Sequence, residues 1–357
     1  MTKKHLILAI NPGSTSTKAA VYEDHVELTS ITLRYDEAEI EKYDSILDQK
    51  EFRANDILEF LSSHSIDCSK LDAVVGRGGL LRPIESGAYL VNENMLSDLE
   101  KPSALRHASA LGGLIAHEIA KKYDIPAFIC DATVTDELLD FVRISGLPEI
   151  ERTSQFHCLN AKAMAKKCAA EQGISYTQGN YIVAHMGGGT TVSAHRKGRI
   201  VDTTNGVTGE GPFSPNRPGS LPAEDLIRMC FSGKYTEKEM LAKIHSNGGI
   251  KAYLGTTDMI EVTANAQNGD EKAALIINAL TYQVASDICA KAAVLNCEVD
   301  GIILTGGLAY SELITSKIKE RITRLGKVYV YPGEDELGAL TAGVLPILKG
   351  TEKYKVY

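Results

Sequence analysis

Residues 6–21, LILAINPGSTSTKAAV, can be laid on residues 181–194, YIVAHMGGGTTVSA, at an offset of 175, close to half of the 357-residue chain. Ala9 then falls on Ala184, Gly13 on Gly188, Thr15 on Thr190 and Ala19 on Ala194. Each segment reads as an apolar strand, a polar glycine-bearing turn and a second strand carrying Thr and Val. Each is therefore predicted to be a β-hairpin whose turn presents backbone N–H groups and hydroxyls. Chance likeness of two hairpins would not extend to the polar chemistry of both turns, so a duplicated fold is expected, with a ligand cleft between the copies. The length agrees, being too great for one ordinary core and suited to two domains.

The remaining elements fill in an α/β picture. Further strands are predicted at 26–33, 71–75, 88–91, 127–130, 199–202, 301–304 and 328–331, and helices at 55–63, 103–122, 155–172, 224–231, 270–295, 311–325 and 336–348. Ser103 and Ser154 stand where helix N-caps are wanted. Strands arriving before helices in each half predict mixed sheets flanked by helices. The expected domains are residues 1–150 completed by a C-terminal helix at 337–357, and residues 151–336. No Pro- or Ser-rich linker separates the halves.

Charge and apolar patterning exclude several classes. With 38 Lys and Arg against 46 Asp and Glu, the net charge of −8 argues against non-specific binding to nucleic acid or an anionic membrane. No apolar run is expected to reach the roughly 18–20 residues of a membrane helix. The apolar stretch at 6–10 is too short for a signal peptide and reads as a first strand. Seven scattered cysteines without a C-x-x-C pair suit a reduced, cytoplasmic compartment.

Glycines cluster after apolar runs, at 76–79, 187–189, 206–219 and 306–307, as in a backbone that a ligand approaches closely. The first hairpin turn, Asn11-Pro-Gly13-Ser14-Thr-Ser16-Thr-Lys18, holds an amide, four hydroxyls and an ammonium. It lacks P-loop spacing, yet such groups at a tight turn ligate phosphate oxygens; a plain polar hairpin tip is the competing reading. The second turn, His185-Met-Gly187-Gly188-Gly189-Thr-Thr, drops three side chains in a row, more than turn geometry demands, which points to something anionic. The Gly/Pro-rich stretch GEGPFSPNRPG, carrying Arg217, is too irregular for helix or central strand, and such segments are usually functional. Asp131 ends a strand, where ligands and metals sit in α/β folds, although a helix N-cap for a segment near Val134 is the simpler reading. Arg77 lies between glycines at another strand end and suits an anion. His157 near a helix start is more often structural than catalytic. Glu334-Asp335-Glu336 is either the acidic first turn of the last helix or a Mg²⁺ ligand. Gly306-Gly307 follows a strand, where a flat purine can pack.

Taken in order, ILAINPGSTSTK (7–18), GRGG (76–79), CDAT (130–133), QFHCLN (155–160), HMGGGTTVSA (185–194), DTTNG (202–206), the Arg217 loop, GTTDM (255–259), LTGGLAYS (304–311) and YPGEDELGAL (331–340) resemble the acetate kinase family, and within it the butyrate-kinase branch. The resemblance spans nearly the whole chain. It implies two duplicated actin-like ATPase (ribonuclease H-like) domains, as in the superfamily of acetate and sugar kinases, heat-shock ATPases and actin. It also implies reversible phosphoryl transfer from Mg²⁺–ATP to a short-chain carboxylate, butyrate first, with isobutyrate or isovalerate as the alternative, and a homo-oligomer built on dimers. By motif, Asn11, Gly13, Ser14, Ser16 and Lys18 match the first phosphate loop, and His185 with Gly187–Gly189 the second. Asp131 and Glu336 match the metal positions, Arg77 and Arg217 the arginines on the acid and the transferring phosphoryl group, His157 a transition-state donor, and Gly306 and Gly307 the adenosine side.

An ionised carboxylate, with a pKa near ~4, needs no general base to attack, only positioning and charge neutralisation. A sugar kinase would need an Asp base and would leave both arginines unexplained, as would a non-catalytic ATP-driven switch of the actin or chaperone type. Gly78 and Gly79 stand where acetate kinases carry bulkier residues, and the loop to Arg217 is one residue shorter. Both departures are expected to leave room for a longer acyl tail.

Overall fold

The computed structural model describes residues 3–101 and 108–357. Its strands are β1 Leu6–Pro12, β2 Ser16–Glu23, β3 Val26–Arg34, β4 Ala73–Arg77, β5 Ala88–Leu90, β6 Ala127–Cys130, β7 Asn180–Met186, β8 Thr190–Arg196, β9 Arg199–Thr203, β10 Gly301–Gly306, β11 Val328–Pro332 and β12 Lys355–Val356. The chain divides into two compact units, Met1–Thr135 with Asp335–Tyr357, and Asp136–Glu334. The break comes before residue 150 because Leu139 N–H donates to Val201 O and Glu137 accepts from Ile200 N–H, tying this stretch to the second unit.

The first unit holds a seven-stranded sheet in the order β12-β5-β6-β4-β1-β2-β3, the second a five-stranded sheet in the order β11-β10-β7-β8-β9. In both, an antiparallel hairpin (β1–β2, β7–β8) continues into a third antiparallel strand, and two parallel strands follow on the other side. The duplication is therefore one of topology, and the fold is α/β with mixed sheets flanked by helices. The hairpins do not share one offset through both strands. Pro12 pairs with Thr17 but Met186 pairs with Thr190, so Thr17, not Thr15, is the counterpart of Thr190.

Strands at the sheet centres are buried on both faces, which is why they read as continuous apolar runs. In the first unit Leu8, Ile10, Val74 and Ile129 face Ala54, Ile57, Leu61, Leu114 and Ile115 from helices Lys50–Ser63 and Leu111–Lys122. Helix Glu336–Leu348 packs on β1, β2, β4 and β6. In the second unit Ile182, Ala184, Ile302 and Leu304 pack with Ile277, Leu280, Val284 and Ile288 of helix Glu271–Val294. Tyr181, Val183 and Ile303 pack on Ala161, Ala165 and Cys168 of helix Cys158–Glu171. Each buried Val, Leu or Ile among them contributes about 1.5–3 kcal/mol.

Several expectations are corrected. Ser103 lies outside the described residues, and the helix expected from it runs from Leu111 after a 3₁₀ turn. Ser154 is not the cap of the next helix, which begins at Cys158 with His157 at its N-cap and no capping hydrogen bond. No helix starts at Val134, so Asp131 is not a cap. Helix Lys50–Ser63 begins five residues before the expected Asn55. Helix Glu271–Val294, at 24 residues, is long and apolar enough to cross a membrane by length and composition, contrary to expectation. Its inner stripe belongs to the core of the second unit, and its Lys291 pairs with Asp202 at 2.7 Å.

Candidate active site

In the first unit the parallel strands β1, β4 and β6 end at one edge of the sheet, where α/β folds hold ligands. Arg77 is in register with Cys130, so Asp131 emerges one residue beyond it. Asn11, at the end of β1, is buried, and its amide donates to Glu336 Oε2. Arg77 Nη1 lies 3.0 Å from Glu336 Oε1. The fold thus brings Asn11, Arg77 and Glu336 together. Of the three acids in that run, Glu336 alone meets these residues: Asp335 caps the last helix through Gly338 N–H at 2.9 Å, and Glu334 lies 3.0 Å from His185 Nε2 in the second unit.

Asp131 adopts φ 43° and accepts from Gly87 N–H at 2.8 Å and Ser86 Oγ at 3.0 Å, which fixes the direction of its carboxylate. Among the described residues no three His, Cys, Asp or Glu side chains converge as a metal cage. The carboxylates of Asp131 and Glu336 offer hard oxygens of the kind that Mg²⁺ takes, one or two beside water and phosphate oxygens. Along the first turn Ser14 and Lys18 are exposed and Gly13 and Ser16 half-buried.

Gly78 and Gly79 do not open a pocket. A Cβ on Gly78 would lie 2.5 Å from Ala132 Cβ, and one on Gly79 2.5 Å from Ala110 Cα. Protein already fills the space that the sequence had suggested for an acyl tail. These glycines serve close packing.

In the second unit β7, β10 and β11 are parallel and are followed at once by Gly187, Gly307 and Gly333. None of Gly187–Gly189 has positive φ, so conformation does not require glycine there. Gly188 faces open space, whereas a Cβ on Gly189 would strike Arg217 Nη1. Gly189 is bare because an arginine crosses the turn there. Arg217 Nη1 donates to Gly206 O at 2.7 Å and Nε to His245 O at 3.3 Å. Its backbone N–H donates to Ser214 Oγ, which in turn donates to Gly188 O at 2.6 Å, joining the loop to the glycine turn. Burial alone lowers the guanidinium's pKa, and among the described residues it has no carboxylate partner. The side chain is thus a half-buried cation held only by carbonyl oxygens.

His157 stacks on His185, with ring centroids 3.9 Å apart and planes at 10°, and its Nδ1 lies 3.0 Å from Thr191 Oγ1. His185 Nδ1 accepts from Asn160 Nδ2 at 2.8 Å. The pair stands beside Gly189, whose Cβ would lie 3.4 Å from His157 Cε1. Gly306, at φ +86°, must be glycine, since a Cβ would meet Met186 O at 2.5 Å. Next to Gly307 lies a cavity of about 310 Å³ lined by Met259, Ile260, Thr263, Gln267, Leu308 and Tyr310, shaped by helix Met259–Gln267, which the sequence reading missed. Its signal was present: Asp258 of the GTTDM segment caps that helix through Ile260 N–H at 2.9 Å.

A charged network also missed by the sequence reading anchors the loop that carries Arg217. Arg152 donates to Glu210 at 2.7 Å and to Asp202 at 3.1 Å, and Lys291 donates to the other oxygen of Asp202. Burial pushes the carboxyl of nearby Asp287 up to about 6; Lys291 opposes the shift, and Glu210 and Asp202 add to it. A carboxyl with a raised folded-state pKa binds its proton more tightly folded than unfolded, so its contribution to stability falls as pH rises from about 4 through about 6. Asp287→Asn is therefore expected to be more stable than wild type at pH 7.5, by about 2 kcal/mol, to keep about half of that advantage at pH 5 and to lose most of it by about pH 4. Urea unfolding of both proteins across that range checks it.

Comparison with known proteins supplies the lineage. The acetokinase family profile matches residues 150–329. Acetate kinase from Porphyromonas gingivalis superposes with a TM-score of 0.81 at 18% identity, covering 96% of this chain and 100% of that one. A propionate kinase from Francisella tularensis subsp. tularensis gives 0.76 at 17%, covering 95% and 98%, and acetate kinase from Entamoeba histolytica 0.77 at 17% with the same coverage. These structures share the fold. With half of its sequence matched by the family profile, the chain belongs to the acetokinase family.

Proposed function

We propose that the protein transfers the γ-phosphoryl group of ATP, reversibly, to a short-chain carboxylate, giving an acyl phosphate and ADP. The observation that carries this reading is Arg217, a half-buried guanidinium beside a bare glycine turn with only carbonyl partners. Its counter-charge is then a ligand anion. An ATP switch without an acid substrate has no use for it, and no residue at the site needs to act as the strong base that a sugar hydroxyl would require.

The acid arrives ionised, so the residues' work is to align two anions and neutralise charge as the bond to the γ-phosphorus forms and the bond to the β–γ bridging oxygen breaks. The N–H groups and hydroxyls of Gly13, Ser14 and Ser16, with Lys18, and the turn Gly187–Gly189 after His185, receive phosphate oxygens. Arg77 and Arg217 hold the carboxylate and the transferring group, Asn11 orients the Glu336–Arg77 pair, and His157 donates a hydrogen bond to the charge that develops. Asp131 and Glu336 would hold Mg²⁺, which supplies charge neutralisation to the phosphates when bound. The cavity beside Gly307 suits a purine. The exposed apolar side chains of Ile227, at 57%, and Phe231, at 87%, support a homo-oligomer, and seven cysteines outside any disulfide support a cytoplasmic setting.

The narrower reading is butyrate, with isobutyrate and isovalerate next. It rests on the motif resemblance, since Gly78 and Gly79 are packed and lend it nothing. One methylene in an apolar pocket is worth about 1–3 kcal/mol, so preference among C3–C5 acids will be graded. Trapping acyl phosphates with hydroxylamine in the presence of MgATP and acetate, propionate, butyrate, isobutyrate or isovalerate tests both levels. Acid-dependent hydroxamate supports the kinase reading, and a maximum at butyrate the narrower one. A maximum at acetate defeats the narrower reading, and no hydroxamate with any acid defeats both.

Asp131→Asn keeps an oxygen for Gly87 N–H and Ser86 Oγ, so the fold is expected to survive. The Mg²⁺ concentration for half-maximal rate should rise at least about tenfold, the scale on which even indirect ligand contacts act. A variant that loses stability but keeps its metal dependence would make Asp131 an anchor for the 86–87 turn.

A further inference from the structure

Helix Lys50–Ser63 turns Arg53 to the same face as Ile57, Phe60 and Leu61, and Arg53 is 0% exposed. A charge so placed must have every donor satisfied, and it does. Nε and Nη2 donate to Gln49 Oε1 at 3.2 and 2.8 Å. Nη1 reaches Gly13 O at 2.8 Å, Ser16 O at 3.1 Å and Thr17 Oγ1 at 3.1 Å, and Nη2 reaches Ser14 O at 2.9 Å. All of these acceptors are neutral. Among the described residues no carboxylate forms an ion pair with Arg53; Asp56 acts on it only at longer range.

The remaining carbonyl of the turn, that of Thr15, accepts from Tyr35 N–H at 3.0 Å. All four carbonyl oxygens of Gly13–Ser16 are thus engaged from the protein side, while Ser14 and Thr15 face solvent. The negative ends of three of the four peptide dipoles point inward to a guanidinium, so the exposed outer side of the turn stands in front of a buried positive charge. That is an arrangement for an anion, and it is costly without one.

We propose that Arg53 is a positioning residue that holds the Gly13–Ser16 turn in its anion-receiving shape and lends it a positive charge whose counter-charge is a phosphate group of the bound nucleotide. The inference rests on reading this turn as a phosphate loop. It differs from simple scaffolding in a testable way. Gln49 is buried and isosteric with Glu, so Gln49→Glu keeps the bonds to Arg53 and supplies the missing carboxylate. Scaffolding would be undisturbed or strengthened by that change; a charge reserved for phosphate would be neutralised.

The experiment is calorimetric titration of MgATP into wild type, Gln49→Glu, Arg53→Lys and Arg53→Met, with melting temperatures and kinetics alongside. Gln49→Glu is expected to melt at or above the wild-type temperature, with Kd for MgATP raised at least about fivefold, KM for ATP rising in step and KM for the acid within about twofold. Arg53→Lys, which keeps the charge, should recover part of the affinity lost in Arg53→Met. A folded Gln49→Glu that binds MgATP like wild type would overturn the proposal. Where the variants do not fold, wild type decides: the ¹⁵Nε–H resonance of Arg53 shifts on MgATP addition if the proposal holds, and stays in place if Arg53 only supports the loop. Wild type that binds MgATP but phosphorylates no acid would sink the functional reading and leave this one standing.

Discussion

Arg217→Ala is expected to lower turnover by two to three orders of magnitude while the protein stays folded. Loss of a donor aimed at developing charge typically costs about 3–4 kcal/mol of transition-state stabilisation. The fold should tolerate the change because the side chain ties only two carbonyls, of Gly206 and His245, and leaves no acid unpaired. Arg77→Ala is a less clean experiment, since it also strips Glu336 of its cation. Steady-state kinetics beside a thermal melt separates the cases. Near-normal turnover in a folded Arg217→Ala would remove this residue from the site and take the main support from the proposed chemistry.

Gly78→Val and Gly79→Val are expected to unfold at lower urea concentration than wild type and to leave the order of preferred acids unchanged. The first Cβ atom alone would overlap Ala132 or the backbone of Ala110, and overpacking of this kind costs about 1–3 kcal/mol, more where backbone must yield. A stable Val variant with a preference shifted to shorter acids would restore the pocket that the sequence suggested. The contrast shows how one residue type misleads. A glycine pair next to an arginine looks the same in sequence whether it makes room for a ligand or for a neighbouring element. Gly189 makes room for Arg217, and Gly78 makes room for Ala132.

Strand positions were legible where, as in β1 and β7, strands are buried on both faces and leave continuous apolar runs, and the shared hairpin chemistry exposed the duplication. The exact equivalence was not, because the first turn is one residue longer between paired positions, and a fixed offset misplaces Thr15. Helix Glu237–His245 was missed although Thr236 and Glu239 form a capping box. Arg53 was hidden by an expected helix start at Asn55. Extending that helix one turn back places a charged residue on the stripe of Ile57, Phe60 and Leu61, which is the one signal that could have found it. Arg152 and Glu210 lie 58 residues apart, and their pairing is a product of the fold alone. Glu336 was already chosen from the motif among three adjacent acids, but its contacts with Asn11 and Arg77, distant in the chain, are a product of the fold alone.

Phosphoryl transfer to a carboxylate is tested most directly by following ³¹P and ¹³C NMR spectra of wild type with MgATP and carboxyl-¹³C butyrate. The account predicts an acyl-phosphate phosphorus resonance coupled to the labelled carbon, growing in proportion to ADP, absent without the acid and reversed when ADP is added in excess. Release of ADP and inorganic phosphate at one rate with or without any carboxylate, and no coupled resonance, would contradict it.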